Sequence, residues 1–106
     1  MDLRELSASA DAVVCALCAD YARRELLCAL PNIGRRMRAE LAYYNSKILA
    51  AAESVVGEAD AMTYINDIGA RKGYAYSLVE GVCELTYKRR KREVKCEIAR
   101  RLYLIE

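Results

Sequence analysis

The sequence predicts an all-α protein, a small bundle of three long helices plus one short helix, in a single domain over residues 1–106. Three observations carry that expectation. Apolar residues recur at spacings of three and four along most of the chain, the period of a helix with one buried face. Seventeen alanines favour helices that approach one another closely. One proline and five glycines are too few to punctuate a protein of many strands and tight turns.

The first long helix is expected over residues 3–29. Asp2 and Glu5 have the spacing of a capping pair. Leu3, Leu6, Ala10, Val13 and Leu17 then define a stripe that moves on to Val14, Tyr21 and Cys28, so the apolar face drifts around the helix. Leu30 precedes Pro31, which disfavours helical geometry at Leu30 and marks a boundary. Asn32 is placed to cap the second helix, whose stripe of Ile33, Met37, Leu41, Tyr44, Ile48, Ala52 and Val55 is the cleanest in the chain. Gly57 falls where a left-handed C-terminal cap belongs. A shorter helix follows from Asp60 to Ile68, with Met62, Ile65 and Ile68 on its buried edge and Asp60 as its cap. Gly69 and Gly73 bracket Arg71-Lys72 as a turn or joint.

The last helical tract is expected from Tyr74 to Leu104 and holds two stripes. Ala75, Leu78, Val82 and Leu85 form the first; Val94, Ile98, Leu102 and Ile105 form the second, out of phase with it. Either the helix bends or breaks near Lys88–Arg92, or its halves face different partners. A strand reading competes, since Cys83, Leu85 and Tyr87 alternate with polar residues, as do Val94, Cys96 and Ile98. A hairpin through the basic run would lack the Gly, Asn or Asp that tight hairpins use. Glu84 with Lys88, and Glu97 with Arg101, are i,i+4 pairs in the helix-favouring order, so a helix is expected.

The formal net charge of +2 conceals a local excess. Residues 81–106 carry eight bases and four acids, and residues 31–57 carry four bases and two, whereas the rest of the chain is acidic. Local charge of this kind speaks to partners. Its centre is Lys88-Arg89-Arg90-Lys91-Arg92, extended by Lys95, Arg100 and Arg101. Five consecutive cations surround a helix axis and repel one another unless anions are near. Glu84, Glu93 and Glu97 relieve part of that repulsion, and the remainder suits contacts to phosphate. Tyr87 and Tyr103 flank the run as groups that could stack or hydrogen-bond, and Arg35, Arg36 and Arg38 extend the patch if the second and last helices lie side by side. A merely solvated helix face is the plainer reading of the same run. Residues 63–82 match a helix-turn-helix loosely, with two glycines in the turn.

Most catalytic chemistries are not expected. The chain has no histidine, which removes Ser-His-Asp and Cys-His catalysis and histidine-bearing zinc sites. It has neither a phosphate-binding loop nor a dinucleotide glycine fingerprint, so no enzyme activity and no cofactor are expected. Glu80 and Glu84 stand on adjacent turns and read as surface solvation. Cys15-Ala16-Leu17-Cys18 is a CxxC, but it sits mid-helix among apolar residues with no second CxxC, which points to core packing rather than to metal. The apolar run Ala12–Ala19 is too short to span a membrane and follows acids rather than the bases of a secretory leader. A cytoplasmic setting with reduced thiols is therefore expected, in keeping with the odd cysteine count. All eight aromatics are tyrosines, which suit the rim of a core or an interface.

Two functions from different classes follow. In the first, the basic C-terminal helix contacts nucleic acid in a regulatory or accessory role. In the second, the chain is a protein-interaction module, an adaptor or inhibitor. Its helix faces and basic patch would dock an acidic or nucleic-acid-binding protein, a nucleic-acid enzyme being one such target, in the manner of the small helical inhibitors of mobile elements. A homodimer is a further expected way to bury apolar surface.

Overall fold

A computed structural model describes residues 6–104. The described residues are all-helical, in five α-helices: α1 Ala8–Ala19, α2 Tyr21–Cys28, α3 Arg35–Val56, α4 Glu58–Ala70 and α5 Glu84–Arg101. A 3-10 turn over Tyr74–Tyr76 interrupts the segment between α4 and α5. The Asp2–Glu5 capping pair, Leu3 and Ile105 lie outside the described residues; Ser7 caps α1, and α5 ends at Arg101 rather than Leu104.

The first expected helix is two helices with a bend at Asp20. The drifting stripe finds its reason there, because the change of direction lets both halves face one core. Asp20 has φ −93° and ψ 0°. Its carboxylate accepts hydrogen bonds from Arg23 Nε at 2.5 Å and Arg24 Nη1 at 3.3 Å. Arg24 is buried and also donates to Asn45 Oδ1 at 2.6 Å and to the Leu17 carbonyl, so one guanidinium ties α1, α2 and α3 together. The Arg23 guanidinium holds the Asp20 carboxyl below its ordinary range.

The second helix begins later than expected. Gly34, not Asn32, is the N-cap of α3, and Asn32 lies exposed in the preceding turn. Ile48 and Ala52 of the expected stripe are fully buried, but Met37 and Tyr44 near the start of α3 are largely exposed. Gly57 has φ +85°, a conformation a side chain would strain, and joins α3 directly to α4. Asp60 falls within the first turn of α4 rather than capping it.

Gly69 is no joint. It lies inside α4, and its backbone runs against the end of α1, so that a Cβ there would meet Ala19 N at 2.6 Å. The chain turns instead at Arg71, with φ 56°, where Arg71 N–H donates to the Ile68 carbonyl and Lys72 N–H to the Asp67 carbonyl.

Residues 74–83 are not the start of the last helix, which begins only at Glu84. Side-chain hydrogen bonds anchor this segment just after its 3-10 turn. The Asp67 carboxylate accepts from Ser77 Oγ at 2.5 Å and from the Tyr87 hydroxyl at 2.9 Å, while Ser77 Oγ accepts from Val79 N–H at 3.1 Å. The local bond from Val79 N–H to Ser77 Oγ competes with a helical one. Leu78 and Leu85 of the expected stripe are 82% and 79% exposed. The helix-turn-helix reading fails with it, since its second helix does not form.

α5 then runs unbroken through Lys88–Arg92, and among the described residues no strand is present. Tyr87, not Leu85, sets its buried phase: Tyr87, Val94 and Ile98 are buried, with the half-buried Lys91 between them. Tyr87 stacks on Tyr64, with ring centroids 5.4 Å apart and planes at 25°. Val14, Ile48, Ile65, Ile68 and the tyrosine pair form one core, and Ala51, Ala52, Ala61 and Ala99 allow close helix approach within it. α3 packs on α2, α4 and α5, and α1 on α4 and α5. Cys15 and Cys18 are buried in this core, where burial and the neighbouring Cys15 push the Cys18 thiol up to about 12. No described helix is long and apolar enough to cross a membrane.

Candidate nucleic-acid interface

The cations of the run separate by helical phase. Lys88, Arg89 and Arg92 are exposed, with Leu85 on the same open face, whereas Arg90, Lys91 and Lys95 are half-buried where α5 meets its neighbours. This division eases the crowding that five adjacent cations impose, because the helix turns them to different sides. Lys88 pairs with Glu84 at 3.1 Å and Arg89 with Glu93 at 3.8 Å, both exposed i,i+4 links of small energetic value. Arg90 lies beside the buried Tyr64 hydroxyl, which has no hydrogen-bond partner of ordinary geometry; the guanidinium only partly offsets the upward push of burial on that phenol.

Lys91, Lys95, Lys88 and Arg92 turn toward the start of α1 and line a cleft of about 540 Å³ with Ser7 and Asp11. Lys95 pairs with Asp11 at 3.0 Å. Lys91 Nζ donates to the Lys72 carbonyl and lies 5.9 Å from the centroid of the Tyr87 ring. Burial, and then the neighbouring Lys95 ammonium, hold the Lys91 amine below its ordinary value.

Three expected site residues have other positions or employments. Tyr87 is 1% exposed, with its ring between Tyr64 and Tyr74 and its hydroxyl on Asp67, so it offers no face for a base to stack on. Arg38 is spent within the protein, donating to the carbonyls of Cys28 at 3.1 Å and Leu30 at 2.7 Å and so closing the end of α2. Arg36 lines a different depression from the cleft residues, together with Tyr43 and Tyr44, and makes a 3.6 Å pair with Glu40. Arg35 is exposed on the first turn of α3. Farther along α5, Arg100 and Arg101 both bind the buried Glu97 carboxylate, at 2.5 and 2.9 Å, and Arg100 holds that acid below its ordinary value.

The sequence reading missed Ser7, Asp11 and Lys72 as neighbours of the basic run. No local pattern signals them, since the contacts join residues far apart in the chain. Among the described residues no group of three metal-ligating side chains comes together. The described chain is thus an all-helical bundle with a basic face on its last helix. No family model matches the sequence, and neither a curated protein nor a solved structure does so.

Proposed function

We propose that this protein binds nucleic acid through the open side of α5, in a regulatory or accessory role without catalysis. The observation that carries the reading is the exposure of Lys88, Arg89 and Arg92 along one face of an unbroken helix, with Lys91 and Lys95 on its flank. Cations held on a rigid helix meet a phosphate backbone at low entropic cost and release its condensed counterions. The two i,i+4 acids lower the field but are exposed and easily exchanged for phosphate. Among the described residues no disulfide joins two cysteines, in keeping with a cytoplasmic setting.

Fluorescence anisotropy of labelled single- and double-stranded oligonucleotides, at two salt concentrations, tests this reading. The expected result is binding that weakens steeply with salt, with a slope reduced by about one for each cation lost in Arg89→Ala and Arg92→Ala. No binding at low salt would overturn it.

A second reading has its own observation. Met37, Tyr43 and Tyr44 are exposed on α3, and Tyr43 and Tyr44 line a depression with Arg36. Exposed tyrosine beside arginine suits a protein interface, so an adaptor, an inhibitor or a homodimer using α3 is the alternative. Sedimentation across a concentration range, with Tyr43→Ser and Tyr44→Ser as controls, tests the dimer. A mass that stays monomeric removes it.

A further inference from the structure

The cleft between the start of α1 and the flank of α5 has a charge balance that its own residues leave incomplete. Lys88 and Lys95 each have a carboxylate, Glu84 and Asp11. Among the described residues no acid lies within ion-pair distance of Lys91 or Arg92. Lys91 is half-buried, and its only hydrogen bond to a described residue is to a neutral carbonyl, which takes one of its three donors. Withdrawing an ammonium from water without an anion is costly, and placing a second one four residues away increases the cost. Four cations against the single carboxylate of Asp11 line the cleft, and a concave wall with such an excess focuses the potential within it.

Two positive charges on the lining of a cleft, with no ion-pair partner among the described residues, call for a ligand with two negative charges and several acceptor oxygens. We infer that this cleft is a phosphate-binding site, taking a dianionic terminal phosphate or a pyrophosphate group between Lys91, Arg92 and the start of α1. Arg92 supplies a planar fork for two oxygens, and Lys91 a compact ammonium for a third. The opening of α1 adds the partial positive charge of its backbone dipoles on the opposite wall. At about 540 Å³ the cleft falls within the range of small-ligand pockets, so it accommodates more of the ligand than a bare phosphate. The Lys95–Asp11 pair is the hinge pin of the site, joining the two walls without occupying Lys91 or Arg92.

The phosphate group has two sources, a free nucleotide and the phosphorylated end of a strand. The strand-end form rests on the nucleic-acid reading above; the free form does not. The test uses the full chain, titrated with inorganic pyrophosphate while ¹H–¹⁵N NMR follows the amides of Ser7, Ala8, Lys91 and Arg92. One oligonucleotide with and without a 5′-phosphate, and a nucleoside triphosphate, form the other arms. Lys91→Gln with Arg92→Gln preserves the Lys95–Asp11 pair, and a thermal melt verifies its fold.

Saturable shifts at the cleft amides are expected, weakened about tenfold or more in the double variant, as the loss of charge-assisted hydrogen bonds requires. A 5′-phosphate preference that the variant abolishes identifies a strand end, and tight triphosphate binding without that preference identifies a nucleotide. Pyrophosphate shifts with no oligonucleotide binding would uphold the cleft and reject the nucleic-acid reading. Oligonucleotide binding with neither a 5′-phosphate preference nor pyrophosphate shifts would reject the cleft and leave that reading standing.

Discussion

Gly69 of α4 lies against Ala19 at the end of α1 so closely that a Cβ on it would stand 2.6 Å from the Ala19 nitrogen and 2.7 Å from its Cα. The obstruction is backbone, which cannot swing aside as the end of a side chain can. Gly69→Ala therefore separates α1 from α4 and should destabilise the protein by about 1–3 kcal/mol, the usual cost of overpacking. Gly73→Ala meets nothing within 4 Å at an extended φ of −89° and is expected to be neutral or slightly stabilising. Urea unfolding of the two variants checks this, and equal midpoints would refute the close approach.

Arg24 is a second point where distant elements depend on one group. Its guanidinium serves Asp20, Asn45 and the Leu17 carbonyl from a buried position. Arg24→Ala takes this donor from Asn45 Oδ1 and the Leu17 carbonyl, while Asp20 keeps Arg23, and should cost about 1–3 kcal/mol. Arg24→Lys is expected to recover little, because an ammonium cannot reproduce the planar fork. Thermal melts of both variants measure the difference.

Asp67, Ser77 and Tyr87 form a third junction. Tyr87→Phe removes one of the two side-chain donors to the Asp67 carboxylate and should cost about 1–2 kcal/mol. A double-mutant cycle with Ser77→Ala should show coupling, since both hydroxyls bond the same oxygen.

Alkaline stability reports on the same core. Burial raises Cys18 from 9.0 to about 12, and burial with the Asp67 hydrogen bond raises Tyr87 from 10.0 to about 12. Both groups keep their protons longer in the folded state than in the unfolded one. Their contribution is complete below pH 9 and is lost as pH rises toward 12. Urea midpoints should fall from about pH 9 upward. Cys18→Ala should flatten the first part of that fall and Tyr87→Phe the part above pH 10. A flat profile in the native protein would contradict the burial of both groups.

The exposed leucines provide a contrast. Leu78→Ala and Leu85→Ala should each change stability by less than about 0.5 kcal/mol. Had they lined the buried face of a helix starting at Tyr74, each would cost about 2–5 kcal/mol. Denaturation midpoints separate the two cases plainly.

Helical class, the core of α3 around Ile48 and Ala52, the turn at Gly57 and the basic character of α5 were all legible in the sequence. They follow from period, propensity and composition, which act between near neighbours and leave their mark in local order. The drifting stripe in residues 3–29 predicts one continuous helix, which the bend at Asp20 divides into two. The tertiary structure alone decided that Asp20 marks that bend, that Gly69 is a contact rather than a joint, and that Leu85 is outside while Tyr87 is inside. Each of those outcomes depends on a partner far along the chain: Arg24 with Asn45, Gly69 with Ala19, Tyr87 with Asp67 and Tyr64. The sorting of the basic run has the same origin. Which of its cations meets solvent and which meets Asp11 or Lys72 depends on where α1 and the residue-72 turn pack against α5, and no periodicity along α5 encodes that.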